Sequence, residues 1–175
     1  MEYGADPSLK DSKGRTALHL AVLQRGNSEI IKKIMQARPD IVNEKDDTGK
    51  TALHLAVEKS NSQTIALILG AESVQVDEKD NQGKTALYRA CEKPLTPPDI
   101  VKKLLNAGAK VDDEIKGIAA ATKSKIESGT YGAVAKHYIT QVINELGKTR
   151  TPKSKVVNFN AAPTVTSNVT SATLA

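Results

Sequence analysis

A short apolar run with polar residues at fixed places recurs along the first two thirds of the chain. Thr16-Ala-Leu-His-Leu-Ala-Val22 returns as Thr51-Ala-Leu-His-Leu-Ala-Val57 and again as Thr85-Ala-Leu-Tyr-Arg-Ala-Cys91. Ahead of each run stands a polar turn: Asp11-Ser-Lys-Gly14-Arg, Asp46-Asp-Thr-Gly49-Lys and Asp80-Asn-Gln-Gly83-Lys. The three glycines stand 35 and 34 residues apart, so one structural unit is repeated in register. Asp and Gly three positions apart favour a tight turn. The Thr that follows sits where a helix N-cap is wanted, just before the apolar run. His19, His54 and Tyr88 stand three residues on, where a capping-box acceptor belongs, and an imidazole can bond back toward the cap. The pattern predicts a short first helix in each copy, kept thin by alanines so that neighbouring copies approach closely. Leu18, Leu53 and Leu87 are its expected core residues.

A second helix is predicted in each copy, with apolar residues at offsets 0, 1, 4 and 5, one face of a helix. They are Ile30, Ile31, Ile34 and Met35, then Thr64, Ile65, Ile68 and Leu69, then Ile100, Val101, Leu104 and Leu105. Lys32-Lys33 and Lys102-Lys103 point to solvent, and Leu67 departs from that pair. Thr96-Pro97-Pro98-Asp99 starts the third of these helices, because Pro fits a first helical turn, and Gly108 stops it.

These copies resemble ankyrin repeats, whose signature is a Gly turn, then Thr-Pro-Leu-His, then two antiparallel helices in about 33 residues. Ala17, Ala52 and Ala86 stand in the Pro place. Gly4-Ala-Asp6, Arg38-Pro-Asp-Ile-Val-Asn43 and Gly108-Ala-Lys-Val-Asp112 are similar to the family's linker. The resemblance implies an all-α, ankyrin-type helical solenoid with short turn or hairpin fingers. Its expected layout is a partial linker over 1–10, copies at about 11–45, 46–79 and 80–112, a divergent capping helix pair over 113–147, and a disordered basic tail over 148–175. In the closing pair, Ile115, Ile118, Ala119, Thr122 and Ile126 would line one helix. Tyr131, Val134, Ala135, Tyr138, Val142 and Leu146 would line the other.

Composition narrows the function. The formal charge is +5, but Lys148, Arg150, Lys153 and Lys155 lie in a tail with no acidic residue, so the body is nearly neutral. Such a body lacks the basic footprint of a nucleic-acid-binding domain. Four tyrosines, one phenylalanine and no tryptophan make a poor stacking platform for bases. No run approaches a membrane span. The lone Cys91 stands where Val22 and Val57 stand and reads as a small buried hydrophobe, which excludes an internal disulfide framework. That usage suits a reducing, cytoplasmic setting, and export as an effector stays open. His19 and His54 lack companion ligands at a fitting spacing, and His137 stands alone, so neither catalytic nor metal residues are expected, and no cofactor.

The expected function is binding of another protein through the concave face of the stack. Its candidate residues beside the turn glycines are Lys13, Arg15, Asp47, Lys50, Asn81 and Lys84. Those ending the first helices are Leu23, Gln24, Glu58, Lys59, Glu92 and Lys93. Two rival readings are a structural segment of a longer multidomain protein and a host-directed effector of an intracellular microbe. The outer face of the first copy, around Leu20, Ile30 and Ile34, is expected to stay partly apolar and to lead to weak self-association or to an upstream repeat.

Overall fold

The structure, a computed structural model, describes residues 6–24, 28–93, 96–127 and 133–147. Among these residues there are eight α-helices: α1 (Ala17–Leu23), α2 (Ser28–Ala37), α3 (Ala52–Glu58), α4 (Ser62–Leu69), α5 (Ala86–Glu92), α6 (Pro98–Asn106), α7 (Asp113–Glu127) and α8 (Ala133–Gly147), with a 3-10 turn at Pro39–Asn43. Among the described residues there is no strand beyond one antiparallel bridge, Lys79 with Thr85. The all-α class expected from the repeats is the one observed.

The helices form two layers. α1, α3 and α5 pack side by side in one, and α2, α4 and α6 in the other, each pair bridging the layers. Small residues permit this spacing: Ala52, Ala56, Ala86 and Ala90 are buried where the first helices meet. Leu18, Leu53 and Leu87 are at most 1% exposed, so the expected core residue of each copy is in place. Burial of such a side chain stabilises by about 1.5–3 kcal/mol. The second helices add Ile31, Ile65, Ile68, Ile100, Val101 and Leu104 to the same continuous core. Leu67 also packs partly against it, which suits a helix turned slightly from the Lys-Lys pattern of its neighbours.

The three caps form as their sequences predict, and one differs in kind. Thr16 and Thr51 begin complete capping boxes with His19 and His54. Thr85 accepts only the Tyr88 amide, at 3.1 Å, because a phenol cannot reach back as an imidazole does. α6 begins at Pro98 as expected, and Gly108 closes it with its amide on the Leu105 carbonyl at 3.0 Å.

α7 packs against α5, and α8 against α6 and α7, so the last pair lies on the third copy in the same two-layer manner. Ile115 is buried, and Val142 and Leu146 are partly buried against the core. No finger precedes α7, because the linker runs from Lys110 straight to the helix start, where Asp112 caps the Ile115 amide at 2.9 Å. The expectations for the side chains of Thr122, Ile126, Val134, Ala135, His137 and Tyr138, for Tyr131, and for the tail from 148 lie outside the described residues.

Candidate functional site

Each finger is folded by its aspartate. Asp11 Oδ1 accepts the Lys13 and Arg15 amides at 2.9 and 3.0 Å, Asp46 Oδ1 those of Thr48 and Lys50 at 2.9 Å, and Asp80 Oδ1 those of Gln82 and Lys84 at 2.9 and 3.0 Å. Successive fingers are tied tip to tip. Asp47 N donates to Lys13 O at 3.1 Å, Asn81 N to Thr48 O at 3.0 Å, and Asn81 Nδ2 to Asp47 O at 2.9 Å. The fingers therefore make one continuous edge along the first-helix layer.

The histidines do more than close a cap. His19 Nδ1 lies 3.2 Å from Thr16 N and accepts its proton, and Nε2 lies 3.0 Å from the Lys50 carbonyl of the next finger. His54 repeats this with Thr51 N at 3.3 Å and the Lys84 carbonyl at 3.0 Å. Since Nδ1 is an acceptor, Nε2 must carry the proton, and each ring is a neutral bridge between copies. Tyr88 fills the slot in the third copy, where no following finger offers a carbonyl. Burial pushes both imidazoles below their ordinary pKa. The native state thus binds protons less readily than the unfolded chain. Stability is complete above about pH 6.5 and is lost as pH falls from there toward the lowered native values. Urea midpoints of the chain should fall as the pH is lowered below about 6.5. A His19→Gln/His54→Gln variant should be less stable at neutral pH and show a much flatter profile there.

The twelve candidate residues do line the fingers and the first-helix ends, but they differ in what is free. Arg15 is bound to Asp11 through Nε and Nη2 at 2.8 and 2.6 Å, and holds that carboxyl well below the usual range. Lys50 pairs with Glu58 at 2.6 Å. Lys84 pairs with Glu114 and lies 3.8 Å from the centre of the Tyr88 ring. Glu92 pairs with Arg89 at 3.2 Å, and Lys93 Nζ donates to the Glu58 carbonyl at 2.9 Å. Asn81 and Asp47 carry the tip-to-tip bonds. Lys13, Gln24 and Lys59 are exposed. Leu23 is half-buried against the core.

Arg89 is a site residue that the repeat reading passed over. Its Nε and Nη2 reach Asp80 Oδ2 at 2.9 and 2.5 Å, and Nη2 also meets Gln82 Oε1 at 2.5 Å. Burial works against the Asp80 carboxylate, but the Lys84 and Gln82 amides and the guanidinium together keep its pKa lowered. The clue was present: Arg89 stands where Leu20 and Leu55 stand in the other copies. Between the second and third fingers lies a recess of about 370 Å³, lined by Asp47, Thr48, Lys50, Asp80, Asn81, Gln82 and Arg89.

Cys91 is partly buried and its thiol is pushed up to about 12 by burial, far from a reactive thiolate. Among the described residues no group of three or more His, Cys, Asp or Glu could hold a metal ion. No helix among them is long and apolar enough to cross a membrane.

Comparison with known proteins agrees with this geometry. The family model described as ankyrin repeats (3 copies) matches residues 1–80 and, overlapping them, 18–115. Rabankyrin-5 of Mus musculus is 41% identical over 58 residues, and that of Homo sapiens 40% over 58 residues. The match spans 33% of this chain and only 5% of either relative. With two thirds of its length under the family model and three in-register copies in the structure, the chain belongs to the ankyrin-repeat family.

Proposed function

We propose that the chain binds another protein through the edge formed by its fingers and first-helix ends. Ankyrin repeats are in general protein-interaction modules, and the family is typically non-enzymatic. The observation that supports this face is its division of labour. Ion pairs and tip-to-tip bonds hold the fingers still, while Lys13, Gln24 and Lys59 face solvent and a recess of about 370 Å³ opens between the second and third fingers. A rigid edge loses little freedom when a partner docks, so more of the contact energy appears as affinity. The mixed signs along the row suit a protein surface with complementary charges rather than a polyanion. The helix pair over 113–147 brings no finger of its own and bounds this edge.

Lys50 and Lys84 are poor places to test the reading, because reversing them also breaks their pairs with Glu58 and Glu114. Lys13→Glu/Lys59→Glu touches only exposed cations. In affinity capture with the intact chain, this double variant should lower recovery of the partner about tenfold and make the association rate less salt-dependent. Its urea melt should match that of the parent. Full recovery with that variant, and loss with Lys33→Glu/Lys102→Glu on the outer helices, would move the site to the second-helix layer.

A further inference from the structure

The first copy exposes side chains that the next two copies bury. Ile30 of α2 is 52% exposed, whereas its counterparts Thr64 and Ile100 are 2% and 0% exposed. Ile34 is half-buried, whereas Ile68 and Leu104 are fully covered. Leu20 of α1 is half-buried, whereas Leu55 is buried. The cause is positional. α2 lies against α4 and α4 against α6, but among the described residues no helix lies against α2 on its other side.

Leu9, in the linker of the same copy, is 71% exposed. It occupies the slot of Glu44 and Glu78 in the later linkers. Those two glutamates receive the lysine of the preceding copy, Lys10 on Glu44 at 2.8 Å and Lys45 on Glu78 at 2.7 Å. The lysine ladder that crosses both internal junctions therefore has no acceptor at this face. An apolar side chain stands there instead.

We infer that this face, formed by Leu9, Leu20, Ile30 and Ile34, is a docking surface for a further ankyrin-type helix pair. It stacks on α1 and α2 as they stack on α3 and α4. The occupant follows from continuity: the same positions meet a helix pair of this kind at two established junctions. Leu9 adds a requirement on that pair, which presents an apolar residue where Lys10 and Lys45 stand. An exposed apolar patch of this sort marks an interaction site more often than a bare surface. This inference is independent of the finger edge.

The test uses the full chain with a duplicate of residues 6–37 joined ahead of Tyr3, which keeps the repeat spacing and leaves Leu9 in place. Urea unfolding should give a single transition with a higher midpoint than the parent. Ile30→Lys in the native copy should leave the parent's midpoint nearly unchanged and return the extended chain's midpoint toward it. Lys10→Leu within the duplicate should raise the extended chain's midpoint further. The native chain should sediment as a monomer. An extended chain that melts at the parent's midpoint, or in two steps, would overturn the proposal. So would Ile30→Lys being silent in both backgrounds. A concentration-dependent dimer of the native chain that Ile30→Lys abolishes would assign the face to a second copy instead. A duplicate that is no more stable with Leu than with Lys would remove Leu9 from the contact.

Discussion

Leu53→Ala is expected to cost about 2–5 kcal/mol, the range for truncating a fully buried leucine. Leu53 is 1% exposed at the centre of the stack, with α1 on one side and α5 on the other. A cavity there weakens the copy's own helix pair and both of its junctions. A repeat array is held by its copies and its nearest-neighbour interfaces alone, and a natural domain has only about 5–15 kcal/mol to lose. The variant should therefore unfold as a whole at a markedly lower urea midpoint, or fail to fold at 37 °C. A loss below about 1 kcal/mol would contradict the in-register packing of the three copies.

Gly49→Ala should be nearly as damaging, although Gly49 lies in a finger away from the hydrophobic core. Its φ is +74°, a left-handed conformation that costs an L-residue about 1–2 kcal/mol. A β-carbon there would also lie 2.5 Å from Asn81 N. That contact is backbone and cannot swing aside, so the Asn81 N to Thr48 O bond must break. Its loss adds roughly 0.5–1.5 kcal/mol, for a total of about 1.5–3.5 kcal/mol. Gly83 provides the control: its φ is +75°, but an added β-carbon would meet nothing within 4 Å. Gly83→Ala should therefore cost only the conformational part. Urea midpoints of the two variants decide the matter, and equal losses would show that the second and third fingers do not touch as described.

Much of this architecture was legible because the repeat supplied internal comparisons. Three threonines before three apolar runs fixed the helix starts, and three leucines at one offset fixed the core. What could not be read from one copy was what each polar side chain does for the next. The Nε2 bonds of His19 and His54 reach the carbonyls of Lys50 and Lys84, and a carbonyl leaves no trace in residue identity. The same holds for the finger charges. Arg15, Lys50 and Lys84 read as projecting cations, yet their partners Asp11, Glu58 and Glu114 lie four, eight and 30 residues away. Only the folded stack brings the last of these together. Arg89 was the legible exception, because a charged residue in a leucine slot requires a buried counterion, and Asp80 supplies it at 2.5 Å.

The finger edge as the binding face is the central claim, and hydrogen exchange with the captured partner bound tests it most directly. The account predicts slowed exchange at 11–15, 46–50 and 80–84 and at the ends of α1, α3 and α5, with α2, α4 and α6 exchanging as in the free chain. Protection confined to 28–37, 62–69 and 98–106, with the fingers unchanged, would contradict it.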